Sequence, residues 1–471
     1  MAGASPAAVA RPVWFADKPD KGVLGTVGRR RANAQPGEVS LRHHSDFNKL
    51  WFGQAVSSVG SQVTLLALPL TAVLYLHASA GAVGLLTAAG LAAYCGPSLF
   101  FGVMADRIRR RSLMIAADLG RTFFIGLVPV LAWLHSLSMP VMYAVALIEG
   151  GLTVIFEVAY RSYLPSLVGG AALLSGNSRL QSTASVAQVG GPGLSGALVG
   201  LLGAPFALLT DAGSFVVSVL SLLWIRAREP APDRSRPSRA SVFGEIRAGL
   251  SFIYRSPVLQ SLAGSAALFN FFSQLQLTLY VLYAAKVMRM SPGEIGIIVA
   301  CFGIGGVAAS ATAKPVVTRI GYGRTLLTGY GLGALGILGI PLVPGPPELS
   351  TGLFTMVYFT AGYGIVTANI SMTTLRQIAT PDSLQGRVNA SFRFAIGALM
   401  PFSALLAGLL GEKLGLRATL FITAGGMPLS VVWIALSPTR KVGAAEELAP
   451  ADPAGGLKPS REPGPEVTEP A

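Results

Sequence analysis

Between Asp46 and Ser437 the sequence is divided into apolar runs of about twenty residues, with charge confined almost entirely to the stretches that join them. About twelve such runs are found, centred near Leu65, Leu91, Leu127, Leu152, Leu194, Val216, Leu275, Gly303, Leu335, Val357, Ala398 and Ile422. A run of that length suits a helix crossing a bilayer, where no water satisfies the backbone and a helix satisfies its own polar groups. Only 12% of the 471 residues are charged, against roughly a quarter in soluble domains. The deficit extends along the whole chain, so an all-α polytopic membrane protein is expected. Frequent glycine inside the runs fits close packing of membrane helices.

The connections fall into two alternating sets. One is rich in cations: the N-terminal tail (Arg29, Arg30, Arg31, Arg42), the stretch from Gly102 to Arg121, Arg179, the segment from Arg226 to Arg255, then Arg319, Arg324, Arg376, Arg387, Arg440 and Lys441. The other is short and poor in cations: 77–81, 136–140, 203–205, 286–294, 344–350 and 411–417. The positive-inside rule makes the first set cytoplasmic, so a multi-pass protein of the cell membrane with both termini inside is expected. The net charge of +14 is thereby assigned to topology, and no nucleic-acid partner is expected. The first 45 residues lack the apolar core of a signal peptide. Neither Cys95 and Cys301 nor the four histidines form a metal-spaced motif, and no nucleotide loop or nucleophile motif is present. The expectation is a non-enzyme with no cofactor and no metal, working as a monomer in the lipid bilayer.

The domain organisation follows the same pattern. A disordered tail over 1–45 precedes a six-helix bundle over 46–227, a linker over 228–256, a second six-helix bundle over 257–438 and a disordered tail over 439–471. Within the linker, Arg228 to Ser241 is rich in Pro, Arg and Ser. Beyond it Val242, Phe243, Ile246, Leu250 and Ile253 recur at helical spacing, which suggests an amphipathic helix on the inner membrane surface. The alternative is an extension of the seventh span. The halves echo each other: Arg161, Pro165 and Asn177 lead to Pro192 and Gly196, while Arg376, Pro381 and Asn389 lead to Pro401 and Gly408. Two packed repeats with a site between them form a common transporter plan.

The stretch from Gly102 to Arg121 gathers Asp106, Arg107, Arg109, Arg110, Arg111, Asp118 and Arg121 between two apolar runs. Its arginines could serve orientation alone, but acids contribute little to that rule, so Asp106 and Asp118 ask for another account. Gly102, Asp106, Arg107, Arg110 and Arg111, in the pattern G-x-x-x-D-R-x-x-R-R, resemble the loop signature of the major facilitator superfamily. Arg109 stands where many members have Gly, as in the branch related to macrolide and enterobactin exporters. The resemblance covers roughly Asp46 to Ser437 and extends to FEVAYRSYLPSLV, GNSRLQ, TDAGSF and LRQIATPDSLQGRVNASFRF. It implies two pseudo-symmetric six-helix bundles. It also implies a latch in which Asp106 meets the start of the eleventh span near Arg387, where free N–H groups favour an anion. Glu157 and Arg161, four apart, suit an ion pair, and with Asp118 and Arg121 would extend that latch.

Ionisable residues inside spans are costly and point to function. Glu149, Thr153 and Glu157 recur every four residues on one face of the fourth span, and Asp211 lies in the sixth. Glu149 and then Asp211 are the candidates for a proton carrier, each with a purely structural role as the alternative. Related exporters often carry an Asp where this chain has Ser61. The resemblance implies a cavity lined by spans one, four, seven and ten. These offer Gln54, Ser58, Gln62 and Thr153, then Asn270, Gln274, Thr278, Tyr358 and Asn369, polar and aromatic groups suited to an amphiphile. Gly191, Pro192, Ser195 and Gly196 resemble the antiporter motif of the fifth span, with Ser in place of one Gly, and favour export. The expectation is proton-coupled export of a small amphiphilic molecule, such as a drug, antibiotic or siderophore-like compound. A metabolite importer or uniporter on the same fold, or a membrane scaffold, is the alternative.

Overall fold

Each apolar run is helical where it is described by the computed structural model, which describes residues 41, 44–94, 108–169, 172–227, 229, 240–343, 347–381 and 384–443. The expected tails up to Ser40 and beyond Gly443, Cys95, the motif residues Gly102, Asp106 and Arg107, and the linker over 230–239 lie outside the described residues. In chain order the helices are α1 (Ser45–Leu70), α2 (Ala80–Leu91), α3 (Arg110–Trp133), α4 (Met139–Val168), α5 (Leu173–Leu202), α6 (Ala204–Trp224) and α7 (Ala240–Arg255). There follow α8 (Pro257–Lys286), α9 (Pro292–Ile320), α10 (Tyr322–Leu342), α11 (Pro347–Ile378), α12 (Gln385–Leu414), α13 (Leu416–Gly426) and α14 (Pro428–Leu436). The last two form one span, interrupted where Pro428 lacks an N–H.

Among the described residues, ten helical segments are long and apolar enough to cross a membrane. The two remaining spans have particular reasons for falling short. The described part of α2 is only twelve residues. The thirty residues of α8 include Asn270, Gln274, Gln276 and Thr278, whose partners are inside the protein. The stretch expected as a cytoplasmic turn is helical from Arg110 onward, so Asp118 and Arg121 stand two to three turns inside α3. The linker helix α7 is separated from α8 by Ser256, whose side chain caps α8 at the N–H of Leu259 (3.4 Å). It buries Ile246 and Ile253 and packs on the start of α12, where Ser391 donates to the carbonyl of Ile246 (2.9 Å).

The two halves repeat each other in backbone detail. After α1, the N–H groups of Leu76 and Ala78 donate to Thr71 and Ala72 (3.2 and 2.9 Å). After α8, those of Met288 and Met290 donate to Tyr283 and Ala284 (3.1 and 3.0 Å) with the same offsets. His77 and Arg289 take positive φ of 51° and 52° at matching places, and Ser79 and Ser291 cap the next helices. Gly203 and Gly415 (φ 85° and 84°) turn α5 into α6 and α12 into α13, a conformation in which a Cβ would be strained.

Among the described residues the halves meet chiefly through two helix pairs, α5 with α9 and α2 with α12, with smaller contacts of α8 on α1 and α2. Both pairs meet toward the cation-poor end and depend on missing side chains. Gly196 and Gly296 face each other across the first, and Gly84 and Gly408 across the second. One apolar core runs through both halves, with Leu66 and Val83 on one side and Leu279 and Ala407 on the other. A separate core, around Phe47, Leu113, Met114, Tyr163 and Leu222, belongs to the first half alone and lies toward its cation-rich end.

Candidate functional site

A cavity of about 530 Å³ lies between the halves, within the range of small-molecule sites. Helix α1 brings Gln54, Ser58, Ser61 and Gln62 to it, and α4 brings Glu149, Thr153 and Glu157, as the four-residue spacing requires. Arg121, Asp211 and Gln188 reach it from α3, α6 and α5. Across from them α8 contributes Gln274, Leu277, Thr278 and Val281, the only part of the described lining that comes from the second half. Leu65, Leu68, Leu86 and Phe156 supply apolar wall.

The expected cavity residues divide accordingly. Gln54, Ser58, Gln62, Thr153, Gln274 and Thr278 line the space, while Asn270, Tyr358 and Asn369 do not. Asn270 donates to the carbonyl of Ala266 one turn back in its own helix (2.8 Å). Tyr358 is buried, accepts from Gln276 (3.1 Å) and packs on Tyr280 with ring centroids 4.8 Å apart. Asn369 is exposed. Ser57, Thr64, Thr87 and Gln188 also line the cavity; as small or amide side chains on helices they carry no signal in the sequence beyond their spacing.

A buried charge cluster forms the polar wall. Asp118 is fully buried, Arg121 is 5% exposed and Asp211 is 1% exposed. Arg121 pairs with Asp118 (3.2 Å), reaches Glu149 with Nε (3.7 Å) and lies 3.9 Å above the centre of the Phe215 ring. Stacking of a desolvated guanidinium on an aromatic face contributes up to about 2 kcal/mol. Glu149 accepts from Thr153 (2.7 Å) and stays partly open to the cavity. Asp211 accepts from Thr64 on α1 and from Ser214 (3.0 Å), so it ties α6 to α1. A charge at the bilayer centre costs about 3 kcal/mol or more, and this cluster offsets that cost by pairing.

The other expected latch residues lie toward the cation-rich end. Arg111 donates to the carbonyls of Leu222 and Leu223 at the end of α6 (2.8 and 2.9 Å), and Glu229 caps α3 at the N–H groups of Arg110 and Arg111 (2.8 and 3.2 Å). Asp46 accepts from Lys49 (2.7 Å) and from the N–H of Ala227 (2.9 Å). These bonds fasten α1, α3 and α6 within the first half. Glu157 and Arg161 pair at 3.6 Å, both well exposed. Arg387 is exposed at the start of α12, its backbone against Gly249 of the linker helix. Its expected partner Asp106 lies outside the described residues.

The small-residue motif of α5 has a packing account. Gly191 lies against Gln62 of α1, and Ser195, in place of a Gly, donates to the carbonyl of Val63 (3.2 Å). Gly196 opposes Gly296 of α9, and the carbonyl of Pro192 lies where a Cβ on Gly296 would point. The motif therefore joins α5 to α1 on one face and to the second half on the other.

Residues 50–404 match the Major Facilitator Superfamily. The chain belongs to that superfamily. It is a multi-pass membrane transporter of small molecules and not an enzyme. Among members of the superfamily, a protein named multidrug efflux pump Tap from Mycolicibacterium fortuitum is 27% identical over 405 residues, covering 84% of this chain and 97% of that protein. One named enterobactin exporter EntS, from Salmonella typhimurium, is 27% identical over 380 residues, covering 78% of this chain and 86% of its own. A bacterial homologue of the iron transporter ferroportin in an inward-facing state shares the fold with a TM-score of 0.67 at 18% identity, covering 83% of this chain and 98% of its own. The nucleoside transporter NupG does so with a TM-score of 0.64 at 12% identity, again covering 83% of this chain and 98% of its own.

Proposed function

We propose that this superfamily member exports a small amphiphilic organic molecule by proton antiport, with Glu149 carrying the proton. One observation carries the reading: the carboxylate of Glu149 is both on the cavity wall and 3.7 Å from the guanidinium that serves Asp118. Asp118 and Arg121 balance each other, so a proton on Glu149 leaves the trio neutral and its loss leaves one negative charge. A substrate entering the cavity competes with that proton for the same group. The relatives' names and the small-residue motif of α5 support the outward direction. With the cation-rich end in the cytoplasm, halves that meet at the far end leave the cavity facing inward, the loading state of an exporter. Each proton moving inward releases about 2.3 kcal/mol per 100 mV of membrane potential.

The test is proton release from the purified, reconstituted protein on adding lipophilic organic cations, such as tetraphenylphosphonium, and neutral amphiphiles. Release by the wild type and none by Glu149→Gln is the expected result. Release that persists in Glu149→Gln removes Glu149 as carrier and moves the assignment to Asp211. Binding without release in the wild type moves the reading to a uniporter.

A further inference from the structure

Helices α2 and α9 occupy equivalent places in the two halves, and each begins with a serine cap, yet they complete the cap differently. At α9 the chain supplies its own carboxylate: Ser291 accepts from the N–H of Glu294 (3.3 Å), and Glu294 accepts from the N–H of Ser291 (2.7 Å). This reciprocal box satisfies two free donors at once. At α2 the hydroxyl of Ser79 accepts from the N–H of Ala82 (3.3 Å), but the residue in the place of the glutamate is Ala82 itself. The carboxylate comes instead from the opposite half. Glu412, near the end of α12, accepts from the N–H of Gly81 (2.8 Å) and from the hydroxyl of Ser79 (3.0 Å).

A second charge closes the same point. Lys286, at the end of α8, donates to the carbonyls of Ala78 (2.7 Å) and His77 (3.4 Å), immediately before the helix. The second half thus grips the turn between α1 and α2 with an anion on the positive end of the helix and a cation on the carbonyls preceding it. The sequence is cut to fit: a side chain on Gly81 would occupy the place of the Glu412 carboxylate. The equivalent contact between α5 and α9 has no such charge, since Gly200 stands four residues beyond Gly196 where Glu412 stands four beyond Gly408.

We infer that Glu412 and Lys286 are the latch of the cation-poor end, and that Glu412 caps α2 only while the two halves are closed there. Opening transfers the donors of Ser79 and Gly81, and the ammonium of Lys286, to water. Because the site is exposed, the exchange biases the equilibrium without locking it. The inference rests on alternating access but not on proton coupling.

The test is the distance between spin labels at Ser136→Cys and Leu342→Cys, on opposite halves at this end. It uses the full chain in lipid nanodiscs, with Cys95 and Cys301 replaced. Loss of a charge-assisted hydrogen bond at an exposed site should raise the ratio of long to short distances about three- to tenfold in Glu412→Ala, with a smaller rise in Lys286→Ala. Adding Ala82→Glu to Glu412→Ala gives α2 a box like that of α9, and should restore thermal stability while the long distances persist. A ratio unchanged in Glu412→Ala overturns the latch. So does a double variant that returns to the short distance, which would make Glu412 a structural cap alone. Gly84→Ala, a wedge between α2 and α12, separates the two ideas. If it lengthens the distance and Glu412→Ala does not, the latch alone falls. If neither lengthens it, alternating access falls as well.

Discussion

Replacing Gly84 by Ala acts on the closed state and on little else. A Cβ there would stand 2.7 Å from the carbonyl oxygen of Ala404, 2.7 Å from Cα of Gly408 and 2.9 Å from its nitrogen. All three are backbone atoms of α12, in the opposite half, so no side chain can turn aside. Ordinary contact to such atoms begins at about 3.4 Å, so the helices must part there by about 0.7 Å. Overpacking of this kind costs about 1–3 kcal/mol. Within α2 the change has the opposite sign, since Ala favours a helix over Gly by about 1 kcal/mol. That gain is present in both conformations and cancels from the equilibrium between them. Net, closure at the cation-poor end is disfavoured by about five- to 150-fold, with the protein's thermal stability kept. The assay is modification of Thr278→Cys, in the cavity wall, by an impermeant thiol reagent applied to intact cells from outside, with Cys95 and Cys301 replaced. Modification should accelerate and export should slow. Unchanged modification together with unchanged export would refute the reasoning, because it would mean that α2 and α12 need not approach this closely in the working cycle. Gly296→Ala, at the equivalent pair, meets Cα of Gly196 at 3.0 Å and should act in the same direction.

Three further substitutions address the fixed parts of the first half. Arg121→Gln removes the cation serving Asp118 and Glu149 and should cost about 3–5 kcal/mol, read as a lowered Tm in detergent; a Tm equal to the wild type's would show that the pair carries no such load. Asp211→Asn keeps one acceptor oxygen and offers an amide N–H to the second of the two hydroxyls, Thr64 and Ser214, so folding and substrate-triggered proton release should survive, and release abolished there would move the carrier assignment from Glu149. Glu229→Ala uncaps α3 and should destabilise the protein by about 0.5–2 kcal/mol, measurable by chemical denaturation, with transport per folded molecule unchanged.

Spans and turns were legible because membrane insertion writes them into hydropathy at a fixed length. The lining of α1 and α4 was legible because a helix repeats its face every three to four residues, so Glu149, Thr153 and Glu157 had to share one wall. The charged stretch ending at Arg121 was harder. Its acids and arginines look alike along the sequence, but the helix starts at Arg110, so residues eight and eleven positions on lie about 12 to 16 Å deeper. That depth turns Asp118 and Arg121 from surface charges into part of the cavity. The proposed latch of Glu412 and Lys286 left only a faint mark in the sequence. Glu412 and Ser79 are 333 residues apart, and each is an ordinary polar residue at a span end. Only the missing glutamate at Ala82, compared with Glu294, hints that a cap must come from elsewhere. Asn270 and Tyr358 do not line the described cavity because a polar residue in a membrane helix can equally bond its own backbone or a neighbouring helix.

The position of the charges constrains how a proton could drive movement. Asp118, Arg121, Glu149 and Asp211 lie on α3, α4 and α6 of one half, where the bonds of Arg111 join α3 to α6 and Arg121 reaches Glu149 on α4. Protonation inside a single half cannot pull that half toward the other by direct attraction. Among the described residues, what the second half presents across the cavity is neutral: Gln274, Leu277, Thr278 and Val281 of α8. The coupling on the proposed reading is therefore one of solvation: closing this neutral wall over an ionised Glu149 strips water from an unbalanced charge, at a cost of several kcal/mol. Closing it over a protonated Glu149, or over one paired with a cationic substrate, does not. An empty, ionised carrier is then held back from switching, which is what antiport requires. Glu149→Gln removes that unbalanced charge. It should exchange a labelled neutral amphiphile for unlabelled across vesicle membranes as fast as the wild type or faster, and should no longer concentrate it against a gradient in response to a proton gradient. A variant that still concentrates substrate would show that the charge on Glu149 does not control closure.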